Sequence, residues 1–88
     1  MEREAFVGIL EQEGFAEVVT VNREPGGSLD AHEHPFEAKA LIVQGEMWIR
    51  VGEEEQRYQV GDVFHLAAHI AHEERYGPKG VQYLVGRK

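Results

Sequence analysis

Gly26-Gly27-Ser28-Leu29-Asp30-Ala31-His32-Glu33-His34-Pro35-Phe36-Glu37-Ala38 is the stretch on which the reading of this chain turns. In an extended strand alternate side chains share a face, so His32 and His34 point the same way, with Cα atoms about 6–7 Å apart. Two imidazoles at that spacing can lean together onto one divalent ion, at bond lengths of about 2.0–2.1 Å for zinc. Two ligands hold a metal poorly, so a third must come from elsewhere. The sequence offers His72, with His65 and His69 close by.

Composition narrows the setting. A chain of 88 residues, 42% hydrophobic and 28% charged, is expected to form one globular domain over residues 1–88. Its core is modest, and homodimerisation is a common way to enlarge one, so a homodimer is expected. A net charge of −7 without a Lys/Arg cluster argues against nucleic acid or an anionic membrane as partner. There is no cysteine, hence no disulfide, thiolate ligand or cysteine nucleophile. Met1-Glu2-Arg3-Glu4 is acidic and leads into no long apolar run, so it reads as neither signal peptide nor membrane span. The expected compartment is the cytoplasm.

Along the chain, Phe6, Ile9 and Leu10 form one helical stripe, with Gly14 placed as a stop. This predicts a short helix within residues 1–14, followed by a β-structure over 15–88. Phe15 to Arg23 is β-rich, and Glu24-Pro25-Gly26-Gly27 signals a turn. Ala38–Val43 reads as a strand ending at Gln44-Gly45, and Met47, Ile49 and Val51 alternate with polar residues in the next. Gln56–Val60, Val63–Leu66, Ala71–Tyr76 and Val81–Val85 complete the set, with Gly77-Pro78-Lys79-Gly80 as a turn. Short strands punctuated by glycine-containing turns predict an all-β sandwich or barrel. Both parities of Ala38–Val43 are apolar, so that strand is covered on both faces, either by the N-terminal helix or by a second subunit.

These residues resemble the cupins, small jelly-roll β-barrels. The first cupin motif runs G-x5-H-x-H-x3,4-E-x6-G. Gly26, His32, His34 and Gly45 match it, while its acidic position holds Ala38. The second runs G-x5-P-x-G-x2-H-x3-N. Gly61 and His72 match it, and Ala67, His69 and Tyr76 stand at its Pro, Gly and Asn positions. The resemblance spans about residues 15 to 86 and implies a jelly-roll barrel preceded by a short helix. It also implies a divalent transition metal (Zn, Fe, Ni, Mn or Cu) at His32, His34 and His72, without the family's carboxylate. A cupin that has lost its ion is the competing reading.

Two carboxylates stand near enough to compensate. Glu37 is one residue from Ala38, which sends its side chain to the opposite face unless a bulge re-aims it. Glu74 shares a face with His72, as does Tyr76, which makes Glu74 and Tyr76 the candidate catalytic, proton-moving pair. At about 6–7 Å along the strand, Glu74 looks far for a fourth ligand and is otherwise a rim partner of Arg75 or Arg57. His65 reads as a surface or core histidine and His69 as exposed loop. Trp48 falls on the polar side of its strand, as a contact surface or a shielded edge. Phe36, Met47, Ile49, Phe64 and Tyr83 read as core or cavity lining.

Three functions stay open: a metal-dependent enzyme acting on a small molecule (oxygenase, isomerase or lyase), a module that binds or senses a small ligand, and a metal-carrying domain without substrate. The fold alone does not choose among them. The apolar interior positions Ala38, Ala40, Ile42, Met47 and Ile49 offer little to orient a polar substrate.

Overall fold

The computed structural model describes residues 1–88. One helix, α1 (Arg3–Gln12), precedes six strands: β1 (Glu17–Arg23), β2 (Ser28–His32), β3 (Ala38–Val51), β4 (Glu54–Gln59), β5 (Val63–Leu66) and β6 (His72–Arg87). The expected all-β, cupin-like jelly roll with a short N-terminal helix is what forms. All pairings are antiparallel and centre on the two long strands, β3 and β6, which run side by side.

Each long strand serves two half-sheets. Residues 38–41 of β3 pair with β5, and residues 46–51 pair with β4. The first half of β6 carries β2, and residues 81–87 carry β1. The result is a β5-β3-β6-β1 layer and a β4-β3-β6-β2 layer, joined where β3 and β6 bend together.

The bend corrects the sequence reading, which ended one strand at Gln44-Gly45 and another at Gly77–Gly80. Both strands continue through these glycines. Gly45 pairs with Val81 and Met47 with Tyr76, so Glu46 alone stands opposite the four-residue excursion 77–80. Gly45 and Gly80 have φ of +72° and +76°, and a Cβ on Gly45 would lie 2.0 Å from the Gly80 carbonyl oxygen. A left-handed glycine suits a bulge as well as a reversal, so it marks the bend without saying which way the chain goes. The bulges also exchange parity. Ala38, Ala40 and Ile42 line the interior before the bend in β3, and Met47 and Ile49 after it. In β6 the interior row runs His72, Glu74, Tyr76 and then Val81, Tyr83, Val85.

The second face of Ala38–Val43 is covered by the helix. Phe6 and Leu10 of α1 pack with Phe15 onto Leu41 and Leu84. Lys39 clamps the helix end by donating to Glu13 at 2.8 Å. No helix is long and apolar enough to cross a membrane.

Candidate metal centre

His32 and His72 face each other across β2 and β6, and a bulge makes them do so. Leu29 pairs with Glu74, which in a regular ladder would set Ala31 opposite His72. One extra residue in β2 puts His32 there instead, on the face that His72 uses. His34 lies just beyond the strand, its ring stacked on Phe36 at 4.7 Å. Ring centroids of the three histidines are 4.3 Å (His32–His72), 5.1 Å (His32–His34) and 5.5 Å (His34–His72) apart.

One ligand nitrogen from each ring lies within 4.8 Å of the others. Two nitrogens each about 2.1 Å from one ion are at most about 4.2 Å apart, so the widest pair needs to close by no more than about 0.6 Å. The other ring nitrogen is already committed in two of them. His32 Nδ1 donates to the Asp30 carbonyl at 2.7 Å, and His72 Nδ1 donates to the Ile70 carbonyl at 3.0 Å. A carbonyl only accepts, so both Nδ1 atoms carry hydrogen, and Nε2 is in each ring the nitrogen turned to the cluster. Burial, then the neighbouring His32 and His72, hold the His34 imidazole below its usual range, which favours the neutral, ligating form. This donor set fits a divalent transition metal.

Glu74 is buried among these rings rather than at a rim. Its Oε2 lies 3.1 Å from His72 Nε2 and 3.3 Å from His32 Nε2, so the strand spacing that made it look remote is spanned by its side chain. Its Oε1 accepts from the Tyr76 hydroxyl at 3.0 Å. Burial, then the Glu74 charge, push that hydroxyl far above the usual phenol range, and Tyr76 stays a donor. The arginines named as rim partners are engaged elsewhere, Arg75 with Glu55 and Arg57 with Glu46.

The remaining candidates fall outside the cluster. Glu37 points to the surface and pairs with His65. His69 is exposed near Glu33, with φ of +64°, the conformation of the glycine it replaces. Trp48 lies half-buried between Arg75 and Arg57, with the Arg75 guanidinium 4.3 Å from the ring centroid.

Residues 19–79 match the family profile of the cupin domain. The chain belongs to the cupin family. No curated protein sequence matches it. Solved structures share the fold at low identity. A protein of unknown function from Rhizobium leguminosarum bv. viciae is 13% identical, with a TM-score of 0.76 over 80% of this chain and 66% of that one. KdgF from Halomonas sp. is 22% identical, with a TM-score of 0.67 over 80% of this chain and 67% of its own. A Bacillus subtilis oxalate decarboxylase variant is 16% identical, with a TM-score of 0.73; 90% of this chain covers 23% of it.

In this cupin the cluster opens onto a cavity of about 60 Å³, lined by His34, His72, Glu74, Ala38, Arg23 and Arg87 among others. That is room for about two waters. Arg23 and Arg87 went unnoticed in the sequence because strand-end arginines are ordinarily solvated. The pairing of β1 with β6, and of Arg87 with Ala38 on β3, brings them to the site.

Proposed function

We propose that this cupin binds a divalent transition metal through His32, His34 and His72 and presents it to a very small anionic ligand. The observation that carries the reading is the convergence of three imidazoles whose Nδ1 hydrogens are, in two cases, tied to backbone carbonyls. That is how a protein orients a histidine for metal, by engaging the nitrogen the ion does not use. When bound, the ion would supply Lewis-acid polarisation of an oxygen ligand.

Cavity size and charge support the ligand class. About 60 Å³ is far below the roughly 300–1,000 Å³ of ordinary small-molecule sites, so hydroxide, bicarbonate or a short carboxylate is the scale that fits. Arg23 and Arg87 place two permanent cations on the same lining and favour an anion. Tyr76 donates to Glu74 and holds it, so this pair positions groups at the centre rather than relaying protons through solvent.

Metal analysis of protein purified without added metal or a histidine tag, with calorimetric titration of variants, tests the reading. His72→Ala is expected to abolish binding and His69→Ala to leave it intact. Equal loss in both variants, or no uptake by the wild type, would overturn it.

A further inference from the structure

The lone pairs at the centre of the cluster are arranged in a way that three histidines alone do not explain. With hydrogen on Nδ1, a neutral imidazole has only a lone pair at Nε2. The Nε2 atoms of His32 and His72 both face one atom, Glu74 Oε2, at 3.3 and 3.1 Å. One carboxylate oxygen thus meets two ring nitrogens at once, on the side of each ring that the metal would use. A cation bound by all three would sit at that convergence.

A supporting role outside the coordination sphere does not account for this placement. Carboxylates that steady a metal-binding histidine take the ring nitrogen the ion leaves free. In His32 and His72 that nitrogen is held by Asp30 and Ile70, and Glu74 addresses the other one. The carboxylate is also pre-set, because Tyr76 fixes Oε1 and leaves Oε2 turned inward. Neighbours across the strands are Ile49 and Leu29, which offer it nothing polar.

The space tells the same story. Ala38, at the acidic position of the first motif, lines the same cavity as Glu74, His34 and His72. A carboxylate at position 38 would stand on β3 and the one at position 74 stands on β6, both on the lining of that cavity.

We infer that Glu74 is itself a metal ligand, supplying from β6 the carboxylate that Ala38 cannot supply from β3. The inference rests on the three-histidine reading above. It makes the site three imidazoles and one carboxylate, lowering the net charge of a divalent centre by one. It also widens the acceptable ions toward Mn, which oxygen ligands suit.

Cobalt(II) is the probe, because its visible spectrum reports the ligand set and calorimetry reports its affinity. Glu74→Gln keeps the size of the side chain and removes its charge. The expected result is a Co(II) affinity at least about 100-fold weaker, at or beyond the range for outer partners of a ligand, and a changed visible spectrum. In the double variant Ala38→Glu/Glu74→Gln, affinity is expected to recover by at least tenfold over Glu74→Gln, roughly 1.4 kcal/mol. Wild type that takes up no Co(II) ends the three-histidine reading. Wild type that binds, with Glu74→Gln unchanged in affinity or weakened with an unchanged spectrum, overturns only the role of Glu74. Should Glu74→Gln not fold, a folded double variant that takes up no Co(II) would overturn it equally.

Discussion

The β5-β3-β6-β1 layer has two faces, and the same two strands build both. On the helix side, Leu41 and Leu84 meet Phe6, Leu10 and Phe15, all buried and all apolar. On the interior side, the neighbouring positions Ala38, Ala40 and Val85 lead to a cavity that ends at His34, His72 and Glu74. One face is filled with large apolar side chains, with the Lys39–Glu13 pair at its margin. The other keeps two alanines where large residues would fill the space, and so leaves room for chemistry. Stability and function are therefore separated by strand parity, one residue apart along β3 and β6.

The sharpest way to break this contrast is to hollow the helix side. Phe6 is fully buried beneath the helix. Phe6→Ala is expected to cost about 3–5 kcal/mol of folding stability, from lost transfer energy plus the cavity left behind. Chemical denaturation measures the loss. Metal affinity of the still-folded fraction should stay within about twofold of wild type, because the cluster around Phe6 includes none of the site residues. A comparable loss of affinity would show that the two faces are coupled through the strands.

The interior face should respond to mild acid. His34 in the folded chain titrates below its usual value, chiefly through burial and then through His32 and His72. Above about pH 6.5 the ring is neutral whether folded or not, and it contributes no pH dependence. As pH falls below that value the unfolded chain takes up a proton before the folded one does, so stability drops. The melting temperature of the metal-free protein should thus fall as pH drops below about 6.5, and His34→Gln should flatten that slope. Identical slopes for the two proteins would remove His34 as the source.

How much of this was legible before folding follows from the same parity rule. The alternating apolar positions, the helical stripe and the spacing of Gly26, His32, His34, Gly45, Gly61 and His72 all express local geometry, and they lead to the right fold family. Whether the chain reverses or merely kinks at Gly45 and Gly80 depends on which strand lies opposite, and no local pattern encodes that. The bulge that turns His32 toward His72 is likewise a property of the β2–β6 pair. The reach of Glu74 is not legible from Cα spacing along a strand, because its side chain is long enough to fold back across it. Its Oε2 reaches both rings.

The smallest effect lies at His69, which sits at φ +64° in the loop that delivers His72. A non-glycine residue in the left-handed region costs roughly 1–2 kcal/mol. Its side chain gains little in return, being exposed, with a 3.4 Å contact to Glu33. His69→Gly removes the strain but frees the unfolded chain, which offsets about 0.4–1 kcal/mol of the gain. A net stabilisation of about 0.5 kcal/mol is expected, read as a small rise in the denaturation midpoint. Metal affinity should not change, since the His69 backbone N–H already donates to the His34 carbonyl at 2.7 Å and glycine retains that bond. If affinity fell instead, the strained backbone would be part of what aims His34 and His72, and the loop would belong with the interior face.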